Sequence, residues 1–284
     1  MKNCRNFLLL CACECKKDNP MKKERIAIIG CGNLGKAIAN GLMDKQLVAP
    51  QQLTVTRRNT AVLTELVEKG VVVTSDNAAA ISSSDLIIVA LKPYTILKVL
   101  EELRDQFDPN RHILVSLATG VSLNELQQAL KNNTAVFRAM PNTAADVGES
   151  VTCIATNANN KGAAKAVNDC FNSIGETVTI AESLMDAATV IGACGIAYVL
   201  RFIRAMIQGG IEIGFDAETA TAIVNQTVKG AAQLLIERKH HPEYEIDKVT
   251  TPKGCTIAGL NEMEHNGFSS ALIKGITTSF EKID

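Results

Sequence analysis

The 284-residue chain has no tryptophan, and all aromatic residues together make up 4% of it. That leaves little material for stacking bases, so no nucleic-acid platform is expected. Charge of one sign is lacking too, with 29 Lys and Arg against 30 Asp and Glu and a formal net charge of −1. Such a chain has no field to draw it to a phosphate backbone or an acidic membrane surface. There is no CxxC pair, and the four histidines (His112, His240, His241, His265) show no ligand spacing, so no metal site is expected. Of nine cysteines, Cys4, Cys11, Cys13 and Cys15 crowd the first fifteen positions, while Cys31, Cys153, Cys170, Cys194 and Cys255 are scattered singly. An odd, scattered set reads as reduced thiols in a cytoplasmic protein. No apolar run approaches the ~18 residues of a spanning helix; the longest, 187–200, stops at Arg201. What is present is a hydrophobic share of 46%, enough for one large domain or two ordinary ones handling a small molecule.

The opening MKNCRNFLLLCACECKKDNP joins basic residues to a short apolar run, at the lower limit of ~7–15 for a secretory signal. We expect residues 1–20 to be a leader or start-site extension, with the working protein beginning at Met21. Lipoprotein-like cleavage at a leader cysteine is the other reading.

From Arg25 the pattern alternates. RIAII, QLTVT, VVVT, DLIIVAL and HILVSL are short apolar runs of the kind buried on both faces of a parallel sheet. Helical patterns fall between them at 34–43, 61–68, 94–106 and 123–130. TAVFRAM and SVTCIAT follow as strands, then a helix at 161–172 and the strand ETVTI. This predicts a doubly wound α/β dinucleotide-binding domain over 21–180. After 181 the strand signals fade. Helices are expected at 196–214, at 217–237 after the N-cap Asp216, at 256–265 and at 269–281. The domain 181–284 is therefore read as all-α. Its stretch AATVIGACGIAYVL carries no charge. A helix apolar all round is normally buried, and in so small a domain a partner subunit is the expected cover.

Four motifs carry chemistry. In IAIIGCGNLGKAIANGL, Gly30, Gly32 and Gly35 form G-x-G-x-x-G directly after a strand and at a helix start. The pattern permits a tight turn, close approach to pyrophosphate and helix–strand packing, with Asn33 and Leu34 inside the loop. At the end of the second strand an NAD site usually has Asp or Glu for the ribose 2′-OH. This chain has Thr56, Arg57, Arg58 and Asn59. Two guanidiniums and a hydroxyl suit a 2′-phosphate, so NADP(H) is favoured, with NAD(H) also allowed. A solvated charged turn is the plainer reading. Asn77, after VVVT, joins the cofactor candidates. In VALKPY, residues Ala90, Leu91, Lys92 and Pro93 leave the fourth strand at its carboxyl end, where ligands of open α/β sheets bind. RAMPNTAADVGES ends a strand in Met140, Pro141 and Asn142. Pro141 stops the ladder, and Asn142 offers an amide at the ligand edge.

Near the other end, TTPKGCTIAGLNEMEH runs from a proline turn into a helix. A loop with glycine and hydroxyls before a helix start can hold an anion. Taken with IGCGNLG, ALKP, MPNT followed by VG, HP and a later NGF, this order and spacing resembles pyrroline-5-carboxylate reductases over nearly the whole chain from Met21. The resemblance implies an N-terminal dinucleotide domain and a C-terminal helical domain that intertwines with a second copy, as a homodimer or a higher homo-oligomer. It implies reduction of 1-pyrroline-5-carboxylate to L-proline by NADPH, the last step of proline biosynthesis. It also implies that the loop holds the substrate carboxylate, through Thr251, Gly254, Cys255 and Thr256, with the Thr256 hydroxyl as the catalytic candidate at the ring nitrogen.

The departures lie at Lys253, where the family commonly has glycine, at Cys255 for threonine and at Ala144 for proline. Ala193-Cys194-Gly195-Ile196 also stands where Gly-Ser-Gly-Pro is common. Lys253 adds a charge and removes backbone freedom at the anion loop. Two rivals are weighed. Another NADP-dependent dehydrogenase or imine reductase, such as the β-hydroxyacid type, would place a catalytic lysine at the start of the helical domain, and GACGIAYVLRFIRAM has none. A non-catalytic NADP-binding regulator would not need Thr256.

Overall fold

The computed structural model describes residues 24–283, so the leader reading for 1–20 lies outside the described residues. Strands β1 (Ile26–Ile29), β2 (Leu53–Thr56), β3 (Val72–Thr74), β4 (Leu86–Val89), β5 (Ile113–Ser116), β6 (Ala135–Met140), β7 (Ser150–Thr156) and β8 (Gly175–Thr179) make one sheet. Its order is β3-β2-β1-β4-β5-β6-β7-β8. β1 and β4 are buried at every residue. Successive side chains of a strand point to opposite faces. Ile26 and Ile28 accordingly enter one core with Ile38, Leu42 and Phe171, while Ala27 and Ile29 enter the other with Ile96, Leu100 and Leu126. Each of these larger side chains contributes about 1.5–3 kcal/mol by leaving water.

The helices supplying those layers are α1 (Asn33–Asp44), α2 (Thr64–Glu68), α3 (Asn77–Ser82), α4 (Pro93–Leu103), α5 (Leu123–Leu130) and α6 (Lys161–Phe171). The pairings are parallel except β6 with β7, which is antiparallel. That sheet edge departs from a purely parallel reading, and the reason is length. The connection after β6 holds only the 3-10 turn Thr143–Val147, too little chain for the crossover a parallel neighbour needs. Helix α3 has no counterpart in the sequence reading. It is short and exists through its cap, where Asp76 Oδ1 accepts from Ala79 N at 3.0 Å.

Beyond β8 come α7 (Met185–Ala188), a π segment (Thr189–Cys194), α8 (Gly195–Glu212), α9 (Ala217–Arg238), α10 (Pro242–Val249), α11 (Cys255–His265) and α12 (Phe268–Phe280). Asp216 caps α9 as expected, accepting from Thr219 N at 2.9 Å. α7 and α10 are additions to the sequence reading. α10 starts on Pro242 at its first turn, where a missing N–H is harmless.

The helical half has a small core of its own, Ile207, Ala220 and Val224. Helices α10, α11 and α12 bury no residue. The expected burial of the apolar stretch is not met within one chain: Ile191, Val199 and Leu200 are exposed. The helical run Glu182–Glu212 is also long and apolar enough to cross a membrane by length and composition. This corrects the expectation from apolar runs, because Arg201 and Arg204 interrupt the run without lowering its mean enough.

Candidate active site

Strand order reverses beside β1, which has β2 on one side and β4 on the other, and a crevice opens there at the carboxyl ends. The register sets Ile29 opposite both Thr56 and Val89, so Gly30, Arg57 and Ala90 leave the sheet at one level. Gly30 has φ +83°, and a Cβ there would lie 2.5 Å from Leu91 Cδ2. Only glycine meets both conditions. A Cβ at Gly35 would come within 3.1 Å of Cys31 Sγ and Ile28 Cγ2, whereas one at Gly32 would meet nothing. The third glycine thus seats α1 on the sheet, and the second leaves open space at the turn. Gly32 caps α1 without any side-chain bond, and the first turn carries no acid. The amide ends at Asn33, Leu34 and Gly35 are therefore disposed toward an anion. Burial pushes the Cys31 thiol up to about 11 despite Lys36 and Arg57 nearby, so it adds no negative charge beneath that position.

The run after β2 divides its labour. Thr56 is buried, and its Oγ1 accepts from Gly30 N at 3.2 Å. Its hydroxyl serves the glycine turn, which corrects its grouping with the phosphate-binding residues. Asn59 accepts from Ala61 N at 3.1 Å and caps the next turn. Arg57 is half-buried and donates from Nη1 to Cys31 O at 3.2 Å, which holds its guanidinium over the turn. Arg58 is exposed beside it. The two guanidiniums are what is left for a 2′-phosphate. Asn77 is half-buried at the first position of α3.

Across the crevice, Ala90 N donates to Ile29 O at 2.8 Å and Leu91 covers Gly30. Lys92 is exposed at the N-cap of α4, with Pro93 at its first turn. Met140, Pro141 and Asn142 are buried where β6 ends. Met140 packs with Ala155 and Met185. Asn142 is buried, with its Nδ2 donating to Gly192 O at 3.0 Å and its Oδ1 accepting from Ala144 N at 3.0 Å. Its Oδ1 and one of the two Nδ2 hydrogens are thus engaged within the chain.

The distal loop is a turn closed by Gly254 N donating to Thr251 O at 2.9 Å. Pro252 stands second and Lys253 third, and Lys253 has φ +62°. This is the pattern of a type II turn, which prefers glycine where Lys253 stands. Gly254 then caps α11 with no side-chain bond. A Cβ on Gly254 would lie 2.5 Å from Thr251 Oγ1, so the Thr251 hydroxyl rests against the helix start. Thr251, Cys255 and Thr256 are exposed around it. Two hydroxyls and the open amides of a helix N-terminus suit a carboxylate.

One contact between the two halves escaped the sequence reading. Arg138, nearly buried in β6, donates to Glu182 Oε1 at 3.1 Å, and the same oxygen accepts from Leu123 N at 2.6 Å. It ties the start of the helical half to the sheet. The signal was there, because an arginine inside an apolar strand needs a buried partner.

Comparison with known proteins agrees with this layout. Residues 182–284 match the family profile described as pyrroline-5-carboxylate reductase dimerisation, and 25–120 one described as NADP oxidoreductase coenzyme F420-dependent. The chain is 43% identical over 269 residues to pyrroline-5-carboxylate reductase 1 of Dictyostelium discoideum, covering 90% of this chain but 49% of that one, about half its length. To pyrroline-5-carboxylate reductase 2 of the same organism it is 40% identical over 275 residues, covering 91% and 92% of the two chains. The crystal structure of Plasmodium falciparum pyrroline carboxylate reductase with NADP bound superimposes with a TM-score of 0.82 at 28% identity, covering 92% of this chain and 97% of that one. Identity of 40% across nearly the full length of the second relative places this chain in the pyrroline-5-carboxylate reductase family.

Proposed function

We propose that the protein reduces 1-pyrroline-5-carboxylate to L-proline with NADPH, and that it works as a homodimer in the cytoplasm. The observation that carries this reading is the distal loop, where the Thr251 hydroxyl lies against an uncapped helix start beside the exposed Thr256. The relatives named above are reductases of this substrate, and one binds NADP. The residues fit that cofactor. The glycine turn and the open end of α1 suit a pyrophosphate, and Arg57 and Arg58 replace the acid that would select NAD. NADH is accepted less well.

The substrate is a cyclic imine, electrophilic at C5 once its nitrogen is protonated, so no strong acid or base is required of the protein. NADPH, when bound, supplies the hydride. The chain supplies position and electrostatics. Thr251 Oγ1 and the N–H groups of Cys255 and Thr256, at the turn closed by Gly254, hold the carboxylate. The Thr256 hydroxyl bonds the ring nitrogen. Ala90, Leu91, Lys92 and Pro93 form the opposite wall of the cofactor crevice. The domain of residues 21–180 carries that crevice, and the domain of 181–284 brings its loop to the crevice of a second copy. The exposed apolar residues of α8 and the absence of buried residues in α11 and α12 support such a partner.

The test is steady-state oxidation of NADPH and of NADH, each with and without pyrroline-5-carboxylate, with proline measured as product. Substrate-dependent oxidation, faster with NADPH, is the expected result. Oxidation indifferent to the imine, or absent with both cofactors, would overturn the proposal.

A further inference from the structure

Asn142 stands just past β6 with 7% of its surface exposed, and every polar atom it owns is engaged. Its N–H donates to Ser150 Oγ at 3.0 Å, its carbonyl accepts from Ala145 N at 3.1 Å, and Oδ1 accepts from Ala144 N at 3.0 Å. The remaining group, Nδ2, reaches across 50 residues of sequence to Gly192 O at 3.0 Å. Gly192 belongs to the π segment Thr189–Cys194 between α7 and α8. A π turn displaces the regular helical bonding by one residue. Nδ2 therefore gives a carbonyl of this irregular turn a donor from outside the helix. The surface there is packed, since a Cβ on Gly192 would lie 3.6 Å from Val151 Cγ1 in β7.

We propose that Asn142 is a positioning residue for imine reduction, holding the π segment against the sheet so that the two halves of the chain keep a fixed spacing beside the crevice. This rests on the cofactor and substrate sites proposed above. With its four polar atoms all partnered within the chain, Asn142 acts in this proposal through the π segment and not as a ligand of cofactor or substrate. The angle at which α8 leaves the sheet sets where the helical half, and with it the loop at Thr251–Thr256, is carried. Hydride transfer depends steeply on placement, and a displacement of about 1 Å can cost roughly a hundredfold in rate. The joint therefore acts on turnover and leaves the affinity for NADPH alone.

Two substitutions separate this role from cofactor binding. Asn142→Ser keeps an oxygen for Ala144 N but is too short to reach Gly192 O. Asn142→Asp keeps the same acceptor and sets an oxygen against the carbonyl. The measurements are steady-state kinetics with NADPH and pyrroline-5-carboxylate, NADPH affinity by nucleotide fluorescence, and amide hydrogen exchange by mass spectrometry on the full-length protein. The serine variant is expected to lose about tenfold in kcat, as for one hydrogen bond, and the aspartate variant more. The NADPH Kd should stay within about twofold. Exchange should quicken across 185–200 and stay unchanged in β1 and α1. A raised NADPH Kd with kcat preserved would make Asn142 a cofactor ligand and overturn the proposal. Unchanged exchange at 185–200 would overturn it too, as would failure of the serine variant to fold, since one positioning bond cannot decide the fold. If the wild-type protein does not reduce the imine, the function proposed above falls, and the exchange result still decides whether the joint exists.

Discussion

Gly254→Ala isolates the geometry of the carboxylate loop better than deleting a hydroxyl does. The backbone at Gly254, φ −72° and ψ 159°, is one that alanine adopts freely. The substitution adds no conformational strain, so any effect comes through the space the methyl takes. That space is occupied, with Thr251 Oγ1 at 2.5 Å and Thr251 O at 3.0 Å from the new carbon. Unstrained contacts lie about 1 Å farther out. The Thr251 side chain must therefore rotate away, or the turn must open, and either removes the hydroxyl from the start of α11. A hydrogen bond to a charged group is worth about 1.5–3 kcal/mol, and 1.4 kcal/mol is a factor of ten. The KM for pyrroline-5-carboxylate should rise about ten- to a hundredfold. Turnover at saturation should hardly change, because the carboxylate is held alike before and during reaction. Thr251→Ala should raise KM by a similar factor. In the double variant the hydroxyl is gone but the contact with Thr251 O at 3.0 Å remains, so its loss should exceed that of Thr251→Ala by much less than the full Gly254→Ala factor. Steady-state kinetics on the three variants close the cycle. An unchanged KM in Gly254→Ala, or additive losses in the double variant, would refute the geometry.

Four further outcomes are expected. Replacing Arg57 and Arg58 with alanine should raise the KM for NADPH far more than that for NADH, and equal effects would remove the 2′-phosphate assignment. Thr256→Ala should lower kcat and kcat/KM together, roughly ten- to a hundredfold, with NADPH affinity untouched; full turnover in this variant would take the ring nitrogen from Thr256. Lys253→Gly should relieve the left-handed backbone at φ +62° and raise the melting temperature, by up to about 1 kcal/mol in stability, whereas a lower temperature would mean that the lysine side chain stabilises the loop. His112 is held below its ordinary value of 6.5 by burial and then by Arg111, against the opposing pull of Asp108 and Asp85. Its contribution to stability is complete above 6.5 and is lost as pH falls from there through the folded-state value. Asn could keep the acceptor that Nδ1 presents to Asp108 N, so His112→Asn should melt with a shallower dependence between pH 7 and 5, and parallel curves would exclude His112 as the source.

The parts legible from sequence were those whose physics is local. Gly32 and Gly35 answer to an open approach and a packing distance within a few residues of chain, and Gly30 to a local turn at φ +83°, although the side chain that closes over it, Leu91, comes from another strand end. Arg57 and Arg58 were readable because the acid of an NAD site is missing at a fixed offset from the glycines. Asp216 announced α9 by the same kind of rule, and Asp76 could have announced α3. Direction was harder. The alternation in SVTCIAT says strand, and only the shortness of the link after β6 says antiparallel. Thr56 was assigned by residue type, yet its hydroxyl turns inward to Gly30 N, because a strand end offers a hydroxyl two sides and the sequence does not say which.

Non-local partners explain the rest. Asn142 carried a visible turn signal, and its Oδ1 makes the local bond that such a signal promises. What the signal could not carry is the acceptor of its Nδ2, a main-chain carbonyl 50 residues away, since every residue has one and sequence marks none of them. The apolar stretch before Arg201 poses the same difficulty on a larger scale. The rule that a helix apolar all round is buried was sound about the charge-free stretch 187–200, yet Val199 and Leu200 are exposed in the single chain. The rule speaks of the assembled protein, so the exposed face measures what one chain lacks. In the homodimer proposed above, a loop that ends at Thr256 and a crevice that begins at Gly30 would make one site only where a second chain covers that face. The contacts that complete the site are then those that no single sequence position records.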